Sequence, residues 1–147
     1  PGKFLVGPAG ILLTTVTNIT DTPKYRFVGV DSGFNHLLRP TLYGSYHKIL
    51  NASRYSGDEE DVVVVGYICE SGDIFSRSGD KIERKLPSPV IGERLAFLDV
   101  GAYGFSMSSQ YNFRPRPAEV LVHEGRSRLI RRAETFEDLT QCFVDFN

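Results

Sequence analysis

The feature that most restricts this chain is its punctuation. Short runs of β-branched and aromatic residues alternate with clusters of Gly, Pro, Asp and Ser along most of its length. Ile11 to Ile19 is too β-branched to favour a helix. Tyr25 to Asp31 sets Tyr25 and Phe27 against Arg26 and Val28, and stops at Asp31-Ser32-Gly33. Asp21-Thr22-Pro23 marks a turn between these two runs. Val62 to Cys69 reads as a strand buried on both faces, and Leu95 to Val100 as another strand. Glu119 to Val122 and Arg128 to Arg132 predict a hairpin closed by His123-Glu124-Gly125-Arg126. Asn51 to Asp61 and Ser76 to Gly92 are polar and turn-rich and read as loops, the second with room for a short strand. Thr135 to Phe143 predicts a helix: Thr135 caps it, Asp138 is the acid of a capping box, and Phe136, Leu139 and Phe143 share a face. The fold class that follows is mainly β, a barrel or sandwich with one or two short helices.

Composition removes several classes of function. With 147 residues, 41% hydrophobic and 24% charged, the chain fits one domain with its own core. A net charge of −1 gives no electrostatic basis for holding nucleic acid or an anionic membrane. The apolar runs, such as Val62 to Val65, are too short to span a bilayer. Two distant cysteines, Cys69 and Cys142, form no disulfide framework and suit a reducing cytoplasm. His36, His47 and His123 have no metal-ligand spacing. The chain opens at Pro1 without a methionine, which reads as a piece of something longer.

Three segments hold residues that can carry chemistry. Cys69-Glu70-Ser71-Gly72-Asp73 follows an apolar strand and opens a polar turn, so a thiol and a carboxylate stand together at a strand end. The plain alternative is a small buried residue before a turn, because free cysteine is usually buried. Leu38-Arg39-Pro40-Thr41-Leu42-Tyr43-Gly44 places a guanidinium and a phenol four residues apart, able to grip one carboxylate. As a bare pattern, an Arg before Pro is commonly just a turn. Gly101-Ala102-Tyr103-Gly104, running on to Asn112, surrounds two tyrosines with small and hydroxyl residues. That suits close backbone approach to a ligand or partner, or equally the packing of small residues at a domain contact.

Taken in order, Pro1-Gly2-Lys3-Phe4, the stretch from Arg39 to His47, Cys69 to Asp73, Gly101 to Asn112, Arg114 to Val120 and Ile130 to Thr135 resemble the diaminopimelate decarboxylase family. These enzymes are pyridoxal-phosphate-dependent decarboxylases of fold type III, the alanine racemase and ornithine decarboxylase type. The resemblance covers nearly the whole chain. It implies a C-terminal β-barrel domain from residue 11 to 147, with residues 1–10 as the end of the cofactor-binding α/β barrel, the rest of which is absent from this chain. Family members carry Glu-Pro-Gly-Arg at that junction; here Pro1-Gly2 match and Lys3 stands in the Arg position, keeping the charge but not the two-pronged fork.

The same resemblance implies a division of roles. Gly2 is a backbone contact to the cofactor phosphate, and Tyr103 touches cofactor phosphate and substrate. Lys3, Arg39, Tyr43 and Glu70 bind the substrate, Arg39 and Tyr43 at its distal carboxylate and Glu70 at its distal ammonium group. Cys69 is the acid that returns a proton after carbon dioxide leaves; a free thiol titrates at about 8.5, so it is mostly protonated near neutrality. None of the five lysines, Lys3, Lys24, Lys48, Lys81 and Lys85, has a context resembling the lysine that holds the cofactor. By itself, then, the chain is expected to be inactive. The implied assembly is a cytoplasmic homodimer in which Cys69 and Glu70 reach the partner's active site. The implied reaction is decarboxylation of meso-diaminopimelate to lysine. Ornithine, arginine or carboxynorspermidine decarboxylases of the same fold, and a non-catalytic regulatory relative, are the alternatives; a cationic Arg39 favours a substrate whose far end bears a carboxylate.

Overall fold

The computed structural model describes residues 1–144. It is mainly β, with two compact units, residues 1–108 and 109–147. The first unit begins with a short helix α1 (Gly2–Val6) and a 3-10 turn (Gly7–Ala9). Six strands follow, β1 (Leu12–Asp21), β2 (Arg26–Val30), β3 (Ile49–Asn51), β4 (Glu59–Val65), β5 (Arg84–Pro87) and β6 (Arg94–Phe97). They form one sheet in the order β3-β6-β1-β2-β4-β5. Its edge strands β3 and β5 approach each other, so the sheet is a nearly closed barrel. Four of its five pairings are antiparallel; β2 and β4 run parallel, with Val28 opposite Val64.

The core of this unit follows from strand alternation. Val16, Val28, Val30, Ile49, Val62, Val64, Leu86, Leu95 and Phe97 point inward from all six strands, joined by Leu37 and Phe75. Phe75 and Phe97 lie tilted with ring centroids 4.7 Å apart. Val63 is buried as completely as its neighbours but belongs outside that cluster, so β4 is covered on both faces, as its run of valines predicts.

Several boundaries differ from the sequence expectation. The segment Asn51 to Asp61 is loop only in its middle: Asn51 ends β3, and Glu59 to Asp61 begin β4. These acids sit on a strand because they pair with Lys85, Leu86 and Pro87 near an outer edge, where a polar strand costs little. β4 ends at Val65, so Cys69 lies in a turn rather than on a strand. Leu98 to Val100 likewise fall beyond β6. Arg39 to Tyr43, read as a turn, is one helical turn, α2. Pro40 fits its first turn, where no N–H is required, and Gly44 closes it at φ +60°, donating its N–H to the Pro40 carbonyl at 3.0 Å.

The second unit is a hairpin and a short helix. Strands β7 (Glu119–His123) and β8 (Arg126–Arg131) are joined by Glu124 and Gly125, both at positive φ, 49° and 72°, as a type I′ turn demands. Helix α3 (Phe136–Thr140) opens with the anticipated capping box, in which the Thr135 N–H donates to Asp138 at 2.8 Å. A 3-10 turn (Tyr111–Phe113) carries Phe113 edge-on to Phe136, 5.6 Å away, and stacked with Phe143. Glu134 gathers the backbone N–H of Arg116, its guanidinium and the Gln110 amide, and the Arg116 hydrogen bond holds this carboxyl down at about 2. Val120, Val122, Leu129 and Ile130 remain exposed on the hairpin.

Candidate active site

α2 and the turn after β6 bring three of the candidate residues together. Arg39 and Tyr43 are i and i+4 on one helical turn, so they share a face, and the guanidinium lies 5.6 Å over the Tyr43 ring. It lies equally 5.6 Å over the ring of Tyr103, sixty-four positions later in the chain. Among the described residues, its one hydrogen bond runs from Nη2 to Ser45 Oγ at 3.2 Å, and no carboxylate pairs with it. Both tyrosines are more than 45% exposed, so the cluster is open to an incoming ligand.

Tyr103 is held there by the backbone. It adopts φ +68°, a left-handed conformation uncommon for a side chain of its bulk. The glycines around it explain how. A Cβ on Gly104 would fall 2.3 Å from the Val100 carbonyl, and one on Gly101 2.0 Å from the Val6 carbonyl. The small residues of this segment thus pack against the chain's own start: Gly101 N–H donates to Gly7 and Val100 N–H to Gly10, each at 3.0 Å. Lys3 stands exposed on α1, and Gly2 beside it has open space where a Cβ would be.

Beneath this cluster sits a buried histidine that the sequence reading did not single out. His47 Nδ1 donates to the Leu98 carbonyl at 2.9 Å, and burial pushes its pKa below the usual imidazole value, with the charges of Arg39 and Lys3 acting in the same direction. A neutral imidazole adds no charge to a region already holding Arg39 and Lys3.

Cys69 and Glu70 lie on the turn that adjoins α2. Cys69 is exposed, which overturns the default expectation of a buried thiol. The Glu70 carboxylate folds back on its own turn and accepts the Gly72 N–H at 3.2 Å and the Ser71 hydroxyl at 3.3 Å. The turn is bolted to α2 by Thr41, whose hydroxyl donates to the Gly72 carbonyl at 2.8 Å. Asp73 closes it from inside: its carboxylate accepts the N–H of Phe34 at 2.7 Å and of Ile68 at 2.8 Å. Burial raises the Asp73 carboxyl to about 6 against these two donors, which pull the other way. Among the described residues, no hydrogen bond, ion pair or ring contact joins Cys69 or Glu70 to Arg39, Tyr43 or Tyr103. A cavity of about 310 Å³ lined by Tyr46, Ser78, Lys81, Glu83, Arg84 and Lys85 contains none of these residues.

With this geometry in place, the relatives are informative. The family model of the pyridoxal-dependent decarboxylase C-terminal sheet domain matches residues 4–101. The chain belongs to that family. It is 53% identical over 140 residues to the diaminopimelate decarboxylase of Methanothermobacter thermautotrophicus, covering 95% of this chain and 31% of the relative. It is 47% identical to that of Escherichia coli K12, covering 95% and 35%. The crystal structure of the M. jannaschii diaminopimelate decarboxylase in complex with L-lysine superposes with a TM-score of 0.90 at 41% identity, over 99% of this chain and 32% of that one. A lysine/ornithine decarboxylase from Vibrio vulnificus shares the fold, at TM-score 0.66 and 18% identity over 78% of this chain and 30% of that one. The chain spans about a third of the length of the curated relatives it matches.

Proposed function

We propose that this chain is the C-terminal part of a diaminopimelate decarboxylase, supplying the substrate grip and the proton donor for conversion of meso-2,6-diaminopimelate to L-lysine and carbon dioxide. The observation that carries the reading is Arg39. It is a half-buried guanidinium held between two tyrosine rings without a carboxylate partner among the described residues. A ligand carboxylate would complete it, received by the planar fork in a two-pronged hydrogen bond with the Tyr43 hydroxyl alongside. A diamine lacking that carboxylate would leave the charge unpaired, a penalty that selects against it.

The residues fit pyridoxal phosphate at the other end of the substrate. Gly2 has an open backbone and Tyr103 a half-exposed phenol, and these two would hold the phosphate, Gly2 through its main chain. Bound there, the cofactor supplies the sink for the electron pair left by the departing carboxylate. The protein's own residues do the remainder. Glu70 receives the distal ammonium, Lys3 adds positive charge beside the substrate carboxylates, and the Cys69 thiol gives its proton to the carbon that lost carbon dioxide. The lysine that holds the cofactor belongs to a preceding α/β barrel, of which residues 1–10 are the end. The proposed assembly is a homodimer in which Cys69 and Glu70 reach the partner's active site. Two free, exposed thiols fit a reducing cytoplasm.

The test is a substrate panel on the full-length enzyme. Diaminopimelate is expected to be strongly preferred over ornithine and lysine, and Arg39→Leu to reduce kcat/KM for diaminopimelate about 10²-fold or more while narrowing that preference. Preference of the unaltered enzyme for a substrate without a distal carboxylate overturns the reading. The isolated chain is expected to show neither cofactor absorbance nor carbon dioxide release.

A further inference from the structure

Asp73 is a buried carboxylate with no part in the chemistry just described. It is 4% exposed, and its two oxygens are each taken by a backbone N–H, Phe34 on Oδ1 and Ile68 on Oδ2. Its main chain is engaged as well: the Asp73 N–H donates to the Glu70 carbonyl at 3.0 Å, and its carbonyl accepts from Gly66 at 3.1 Å. The surrounding backbone is bare where it meets this group. A Cβ on Gly66 would lie 2.2 Å from Oδ2, and one on Gly33 3.2 Å from the same atom and 2.5 Å from the Ile68 side chain. The carboxylate thus ties the segment after β2, the exit of β4 and the turn itself into one piece. Sealed in this way, it cannot reach a substrate. It can fix only where its neighbours point, and the residue following Ile68 is Cys69.

The opposite side of the turn is fixed by α2. The Thr41 hydroxyl donates to the Gly72 carbonyl at 2.8 Å, and a Cβ on Gly72 would come within 3.0 Å of the Thr41 methyl. The helical turn that presents Arg39 and Tyr43 is therefore in direct contact with the turn that presents Cys69 and Glu70.

We propose that Asp73, braced through Thr41, is the positioning residue of the Cys69-Glu70 turn, setting the direction from which the thiol delivers its proton. This rests on the reading of Cys69 as proton donor. In that step the Sγ–H bond breaks and the proton joins the electron pair freed at the carbon that lost carbon dioxide, forming a C–H bond. The thiolate left behind recovers a proton from water. The new C–H bond makes a CH2 group, so delivery from one side labels one of its two positions. A donor displaced by about 1 Å loses rate on the order of 10²-fold, and it also loses facial selectivity.

The experiment uses the full-length enzyme turning over diaminopimelate in D2O. The unaltered enzyme is expected to place deuterium at one position of the new CH2 group, read by NMR of the lysine formed. Asp73→Asn puts an amide NH2 against one of the two backbone donors. It is expected to lower kcat about 10²-fold and to yield a mixture of the two monodeuterated products. A substitution that merely lowered stability would change the amount of active enzyme and leave the label at one position. Thr41→Val is expected to act in the same direction more weakly, with Thr41→Ser restoring both rate and label; if Asp73→Asn does not accumulate as folded protein, this pair decides the matter. Wild-type rate and a single label position in Asp73→Asn, or in Thr41→Val where that pair decides, overturns the proposal, provided that Cys69→Ala loses both. Retention of both by Cys69→Ala instead removes the proton-donor reading itself.

Discussion

The two units of this chain hold their shape by different means. The sheet unit buries Val16, Leu37, Phe75, Leu95 and Phe97 to 1% exposure or less, and its geometry follows from packing. The hairpin unit exposes most of its apolar side chains and is laced instead by Arg116 with Glu134, Arg131 with Glu119, and Arg132 with Asp138. A two-stranded hairpin has too little to bury, so charge and turn chemistry carry a larger share of its order. Every candidate site residue lies in the packed unit. Positions that must be held to a fraction of an ångström sit where cavities are costly, while the region that depends on ion pairs carries none of them.

That contrast can be broken in four ways. The largest effect is expected from Phe97→Ala, which opens a cavity against Phe75 and should cost the sheet unit about 3–5 kcal/mol by urea unfolding; a loss below about 1 kcal/mol would mean that packing is not what holds it. Next is acid. Glu134 sits at about 2 in the fold, beneath an unfolded carboxylate value of about 4.3. Its contribution is present above that unfolded value and is lost as pH falls toward 2. Asp73 has the opposite sign. Its folded value of about 6 exceeds an unfolded one of about 3.9, so its contribution is present at low pH and is lost as pH rises through 6. Hydrogen exchange read separately in residues 1–108 and 109–144 should therefore show opposite trends between pH 6 and 3 from these two groups; parallel trends would erase the distinction. A third, smaller effect is expected from Glu134→Gln, about 1 kcal/mol once solvent screening is allowed for, confined to the second unit. Smallest is Leu129→Thr, at an exposed hairpin position, expected to change stability by less than about 0.5 kcal/mol while reducing self-association in sedimentation.

How much was legible in sequence follows the same division. β1, β2, the hairpin and the α3 capping box were readable because each is specified by neighbouring residues: β-branching, a two-residue Glu124-Gly125 turn, a Thr and an Asp three apart. The helical nature of α2 was hidden because Pro40 looks like a helix breaker, and only its place in the first turn makes it acceptable. β3 has three residues and takes its strand identity from β6, far along the chain. The segments holding Arg39, Tyr43, Tyr103, Cys69 and Glu70 stood out by their chemistry, and the resemblance supplied their roles. Their grouping into two clusters was not legible, because it depends on which strands become neighbours. Asp73 was visible as part of the Cys69 to Asp73 run but had no role until Phe34 and Ile68 were seen to point at it. His47 closed the Arg39 to His47 stretch of the resemblance, but nothing in the sequence showed that it would be buried against Leu98.

The single parallel pairing, β2 with β4, has a consequence for the order of events. Parallel neighbours cannot be joined by a tight turn, so the chain from Asp31 to Asp58 must make a long connection from β2 to β4. On that connection it lays down Arg39 and Tyr43 and then β3, which pairs only with β6. Until β6 is in place against β1, β3 has no edge to join, and Tyr103, which follows β6, has no fixed position over Arg39. Non-local contacts of this separation are slow to form. The complete grip is thus a late acquisition: a chain stopped short of Arg94 would hold Arg39 and Tyr43 on α2 but lack Tyr103, the second ring beside the guanidinium.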